Sequence, residues 1–207
     1  MSGPGGRPFR TVDQMGWGRR AALVMAIVLV GSAAACTDPS PPSGEPQIAP
    51  CEIADPGRSD FLPPDVTGEI QHTDGSAGLL FDSLESALCE GFERVVVEFD
   101  RVVPSSGAPG RLGLAAEWVD EVILDGSGAV QPIGGSEILQ LSVLGATWQP
   151  GTGSSHSVSG PHDLVAEARF NEEVGGSGRL FLALTERAEY RVFTVDEPYR
   201  LVVDVRS

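Results

Sequence analysis

Along most of this chain apolar and polar residues alternate with a period of two, the repeat of a strand that buries one face. Residues 94–99 set Val95, Val97 and Phe99 against Arg94, Val96 and Glu98, and residues 139–143 set Leu139, Leu141 and Val143 against Gln140 and Ser142. Residues 164–170 place Leu164, Ala166, Ala168 and Phe170 on one side, and residues 180–184 present Leu180, Leu182 and Leu184. Two closing strands follow at 190–195 and 201–205, joined across Asp196-Glu197-Pro198, while 112–118 and 121–124 supply two more. Gly175-Gly176-Ser177-Gly178 and Asp125-Gly126-Ser127-Gly128 read as turns. Residues 82–90 break the period: Leu84, Ala87 and Leu88 fall at helical spacing behind Asp82, which can cap, and ahead of Gly91, which can stop. The pattern predicts an all-β chain, a small antiparallel β-sandwich with one short helix.

The N-terminus carries a different pattern. Arg19 and Arg20 precede an apolar run over 21–30 and then Gly31-Ser32-Ala33-Ala34-Ala35-Cys36, the order of a removable export signal. A cysteine directly after small residues resembles the end of a bacterial lipoprotein signal, which predicts a diacylglyceryl group on Cys36. Ala33 stands where such signals usually carry Leu, and Ala33-x-Ala35 also suits an ordinary signal peptidase, which would release the chain. The run over 21–35 falls short of the roughly 20 apolar residues of a membrane span. Residues 37–50, rich in Pro, Ser, Gly and Asp, cannot bury enough surface to fold and read as a tether. The expected layout is therefore a lipoprotein signal over 1–35, a disordered tether over 36–50, a lead-in with Cys51 over 51–66, and one domain over 67–207.

Loss of the signal removes Arg7, Arg10, Arg19, Arg20 and Asp13 from 14 basic and 29 acidic residues, leaving 10 and 28, a balance of −18. With no lysine and no run of arginines, nucleic acid is excluded as a partner. Once Cys36 is assigned to lipid, Cys51 and Cys89 remain as an even pair, and in an oxidising compartment a disulfide is expected, two free thiols being the alternative. Closing a loop of about 38 residues stabilises by roughly 3–4 kcal/mol, and here it ties the start of the folded region to the predicted helix. The three histidines, His72, His156 and His162, have no strand-turn-helix nucleophile elbow near them and read as loop residues. Asp125-Gly126-Ser127-Gly128 lacks the later carboxylates of a calcium loop, and no Cys or His sits at metal-ligand spacing. No enzyme, cofactor or metal site is expected.

Two strands carry more than alternation. Phe92-Glu93-Arg94-Val95-Val96-Val97-Glu98-Phe99-Asp100 resembles the opening strand of the AMIN domain family. Glu197-Pro198-Tyr199-Arg200-Leu201-Val202-Val203-Asp204-Val205 resembles its closing strand, and Tyr190-Arg191-Val192-Phe193-Thr194-Val195 sits where the penultimate strand belongs. The layout over 67–207 is most similar to the AMIN-like variant of exported actinobacterial lipoproteins. That resemblance implies a non-catalytic β-sandwich that binds peptidoglycan or localises cell-wall proteins, held at the extracytoplasmic face of the membrane by its lipid, or secreted if the lipid is absent. An interaction module for another envelope protein, without glycan binding, is the alternative.

Residues 104–110 and 149–161 depart from the family pattern as Gly- and Ser-rich loops. Glycan or wall-peptide binding needs aromatic faces and cationic forks, and Arg94, Arg191 and Arg200 with Tyr199, Trp118 and Trp148 are the residues available. Either Arg94, Arg200 and Tyr199, with Arg191, contribute to a wall-facing patch, or Trp118 is core and the arginines form cross-strand pairs with Glu98 or Asp204.

Overall fold

Twelve strands, all paired antiparallel, run through the computed structural model, which describes residues 48–71, 78–101, 111–124, 126–146, 154–159, 163–173 and 177–207. In chain order they are β1 (Gly68–Gln71), β2 (Leu79–Cys89), β3 (Phe92–Arg101), β4 (Gly113–Val119), β5 (Val122–Ile123), β6 (Val130–Gln131), β7 (Glu137–Leu144), β8 (Ser155–Val158), β9 (Val165–Glu173), β10 (Ser177–Leu184), β11 (Tyr190–Asp196) and β12 (Tyr199–Arg206). A six-stranded sheet has the order β1-β4-β7-β10-β9-β8, a four-stranded sheet the order β11-β12-β3-β2, and β5-β6 form a separate ribbon. Among the described residues the only helical element is a 3-10 turn, Pro50–Glu52.

The alternation seen in the sequence becomes the core. Val95, Val97 and Phe99 of β3 and Leu201, Val203 and Val205 of β12 face Leu139, Leu141 and Val143 of β7 and Leu180, Leu182 and Leu184 of β10, all buried in one cluster. Phe99 of one sheet meets Phe170 of the other edge-on, with ring centroids 5.9 Å apart. In β9 the expected phase slips by one residue. A bulge opposite Ala183 and Leu184 skips Ala166, so Val165 turns into the core beside Ala168 and Phe170.

The expected helix over 82–90 is a strand. Residues 79–89 pair with β3 from Leu79↔Arg101 to Cys89↔Phe92, and Gly91, the expected helix stop, closes the hairpin with φ +81°. The apolar spacing misleads because β2 is an edge strand with a bulge between Phe81 and Ser83, and its side chains are half-buried on both faces rather than in strict alternation. The ladder offered by β3 outweighs local helix preference.

The outer face of the four-stranded sheet is not left to solvent. Residues 48–61 lie across it, and Ile53 packs with Val96, Phe193 and Val202 in a second small cluster. The segment is fastened by the expected disulfide between Cys51 and Cys89, with Cα atoms 5.6 Å apart, so the bridge anchors it to the end of β2 instead of to a helix. Leu62 then exchanges backbone hydrogen bonds with Tyr190, extending the β11 edge. The β5-β6 ribbon covers part of the opposite outer face, where Val122 meets Ile138 and Phe181.

Candidate functional site

Strand register builds rows of side chains across the outer face of the four-stranded sheet. Arg191, Asp204 and Arg94 stand opposite one another on β11, β12 and β3; Phe193, Val202 and Val96 form the next row, and Val195, Arg200 and Glu98 the one after. The first row is charged and enclosed. Asp204, fully buried, accepts hydrogen bonds from Arg94 Nε at 2.6 Å and Nη2 at 2.8 Å, and from Arg191 Nε at 2.8 Å. The Nη2 of Arg191 also lies 2.7 Å from the same carboxylate. Arg94, 2% exposed, spends its Nη1 donors on the carbonyls of Pro50 at 2.8 Å and Ile53 at 2.6 Å. Its burial is sustained by those partners, since an unpaired guanidinium would not tolerate loss of water. Two guanidinium groups against one carboxylate leave a formal surplus of one positive charge in this row.

Above the row lies an open groove of about 500 Å³. One wall is Cys51, Ile53, Ala54, Asp55, Arg58, Ser59, Asp60 and Phe61, from the segment laid over the sheet; the other is Phe92, Arg94, Arg191 and Arg206. Four of the chain's 14 arginines thus meet in one place. The guanidinium of Arg191 lies 4.7 Å and that of Arg206 4.2 Å from the ring centroid of Phe61, while Arg94 lies 4.9 Å from Phe92 and 5.4 Å from Phe193. Stacking of this kind fixes a guanidinium and leaves its in-plane N–H donors available. Arg206 also pairs with Glu189. The wall loop is shaped by Asp55, whose carboxylate accepts the N–H of Gly57 at 2.9 Å and the N–H of Ser59.

The four expected binding residues divide. Arg94 and Arg191 come together at the groove, with the side chain of Arg191 20% exposed. Arg200 is buried in register with Glu98, its Nε donating to Oε2 at 2.7 Å, beneath Ile48, Pro50 and Ile53. Tyr199 points the other way, into the main core, edge-on to Phe99. The pairing of Arg94 with Asp204 and of Arg200 with Glu98 is the cross-strand arrangement expected as the alternative to a surface patch. Trp118 packs at the margin of the core, edge-on to Tyr190, under the guanidinium of Arg187. Cys36, His72, Trp148 and His162 lie outside the described residues. His156 stacks on Phe81 at 3.9 Å and lies 3.5 Å from Glu172.

Among the described residues, two groups elsewhere are shifted from their ordinary range. Partial burial, then the charges of Asp100 and Glu98, push the Asp82 carboxyl up. Burial pushes up the Tyr190 phenol, whose hydroxyl donates to the Val66 carbonyl at 2.8 Å. Arg58, Phe61 and Arg206 were not singled out by sequence reasoning: Arg58 and Phe61 sit in a segment without periodicity, and Arg206 reads only as the polar end of a strand.

A family model for the AMIN-like domain matches residues 86–207. The chain belongs to the AMIN-like domain family. AMIN-like domains are in general non-catalytic modules of the cell envelope, linked to peptidoglycan or to envelope proteins. Comparisons with curated proteins and with solved structures return no match. The matched span holds the sheet-side wall of the groove, Phe92, Arg94, Arg191 and Arg206, whereas the wall from Cys51 to Phe61 precedes it. Among the described residues no helix is long and apolar enough to cross a membrane.

Proposed function

We propose that this chain is a non-catalytic envelope lipoprotein, acylated at Cys36, whose AMIN-like domain binds peptidoglycan at the groove over the Arg191–Asp204–Arg94 row. The observation that carries this reading is the gathering of guanidinium groups on aromatic rings in one open groove of an otherwise acidic chain. Long-range charge disfavours anionic wall material over most of the surface, and this groove is where four guanidinium groups gather against that field. Arg94 acts there as the buried support of the floor and Arg191 as its reachable edge; Arg200 and Tyr199 hold the sheet and do not touch ligand.

Sedimentation of the purified protein with isolated sacculi tests the binding. The protein is expected in the pellet at low salt and released as salt is raised; a protein that stays in the supernatant at every salt concentration contradicts the reading. Intact mass of membrane-extracted protein tests the anchor, with a diacylglyceryl increment on a chain beginning at Cys36 as the expected result. One observation favours the alternative of docking an envelope protein: Ile123 and Val130, directly opposite on the β5-β6 ribbon, are both exposed. That reading predicts a stoichiometric protein partner in pull-downs from solubilised membranes, and loss of it on Val130→Ser.

A further inference from the structure

The geometry points to the groove between residues 54–61 and the four-stranded sheet as a site for the free carboxylate of a peptide, held by Arg58 and by the open edge of Arg191. This deepens the function proposed above by naming the chemical group recognised, and it rests on that reading only for the source of the peptide.

Three observations converge. Arg58 is exposed on the groove wall and has no ion-pair partner among the described residues. It is also the one non-glycine residue there with a positive φ, +52°, a conformation that glycine adopts more easily. A position serving only to turn the chain gains nothing from a long cationic side chain, so the outlier points to the guanidinium itself. Second, the floor is under-neutralised. Arg94 and Arg191 share the single carboxylate of Asp204, and Arg94 is already saturated by two carbonyls, so the unspent donors face the groove from Arg191. Third, Phe61 stacks with both Arg191 and Arg206, which fixes these forks before any ligand arrives and reduces the ordering cost of binding.

The same walls select a carboxylate over a phosphate. Asp55 and Asp60 also line the groove. A dianion meets those two carboxylates at close range, whereas a peptide carboxylate carries one charge and has an amide N–H one bond system away. Asp60, exposed and without an ion-pair partner among the described residues, is free to accept that donor, while Asp55 is committed to its own loop. Bidentate recognition of a planar carboxylate by a guanidinium supplies the specificity.

The test uses the full-length, detergent-solubilised protein and a fluorescent synthetic wall stem peptide, as the C-terminal free acid and as the C-terminal amide. The free acid is expected to bind about tenfold or more tightly than the amide, the range for a charge-assisted hydrogen bond. Arg58→Ala is expected to remove most of that difference and to leave the amide unchanged. Arg58→Gly removes the same guanidinium while suiting the backbone, so a matching loss in both variants excludes misfolding as the cause. An unrelated L-peptide of equal charge separates the sources: binding of the stem peptide alone assigns the wall, and equal binding of both free acids assigns peptide C-termini in general, each in support of a carboxylate site. Equal affinity for acid and amide overturns the proposal, as does wild-type affinity in both Arg58 variants or displacement by inorganic phosphate at the concentration where free acid competes. Sedimentation with sacculi, run in parallel, keeps the two claims apart: wild-type protein that pellets yet ignores the carboxylate sinks this site and spares wall binding.

Discussion

Asp204→Asn probes the row on which the groove is built. The change keeps the shape of the side chain and one acceptor oxygen but removes the charge that two guanidinium groups share. Arg94 is almost wholly withdrawn from solvent, and its remaining partners are the neutral carbonyls of Pro50 and Ile53. Removing one member of a buried ion pair costs about 3–5 kcal/mol, and because Asn retains an acceptor the lower end, about 3 kcal/mol, is expected. Against a total stability of about 5–15 kcal/mol that is a large fraction, and it corresponds to a fall in Tm on the order of 10 °C for a domain of this size. Arg191→Ala leaves the bidentate Arg94–Asp204 pair in place and removes a partly exposed partner, so a loss of about 1 kcal/mol is expected. Urea unfolding followed by tryptophan fluorescence measures both, read as a shift in midpoint at unchanged slope. An Asp204→Asn protein within about 0.5 kcal/mol of wild type, or one less damaged than Arg191→Ala, would refute the claim that the row is sustained by charge pairing.

Three further outcomes follow from the same structure. Replacing both Cys51 and Cys89 by Ser opens a loop spanning 38 residues and is expected to cost roughly 4 kcal/mol in the chain-entropy account; limited trypsinolysis should then cut after Arg58, and an unchanged melting curve with an intact 48–61 segment would contradict the strapped arrangement. Asp82→Asn should stabilise at neutral pH. Its carboxyl titrates higher in the folded than in the unfolded state, so the folded form is favoured at low pH and loses that advantage as pH rises through the raised value; the gap between variant and wild type should close below about pH 4, and a constant gap from pH 3 to about pH 8 would argue against this electrostatic origin. Gly135→Ala should cost about 2 kcal/mol or more, because φ is +116° and a Cβ would sit 2.8 Å from the Leu184 carbonyl oxygen and 2.9 Å from the Ala183 carbonyl carbon; thermal melts equal to wild type would contradict that close approach.

Strands with one face in the core were legible from the chain, and the reason is visible in β3, β7 and β12. Their inner rows are apolar through Val95, Val97 and Phe99, Leu139, Leu141 and Val143, and Leu201, Val203 and Val205, so period two survives burial; the charged exception in β3, Glu93, is buried, accepting the N–H groups of Leu164 and Val165. β2 carries helix-like spacing because an edge strand with a bulge and two half-covered faces has no reason to alternate. β8 looks like loop in the sequence because its four residues, Ser155–Val158, pair only along one side and bury little. The groove was half legible. Arg94 and Arg191 lie on strands with a family pattern, but their partners Arg58 and Phe61 come from a segment with no period, brought over the sheet by a disulfide. Val96, Val202 and Phe193 are apolar on the side that alternation assigns to water, and three greasy residues in one cross-strand row require a cover, which Ile53 provides.

The groove over the Arg191–Asp204–Arg94 row is the proposed seat of wall peptide. Amide chemical shifts of isotope-labelled protein titrated with solubilised muropeptides test it most directly. Saturable shifts concentrated at residues 54–61 and at Phe92, Arg94, Arg191 and Arg206 are predicted; an unperturbed spectrum, or shifts centred on the β5-β6 ribbon, would contradict it.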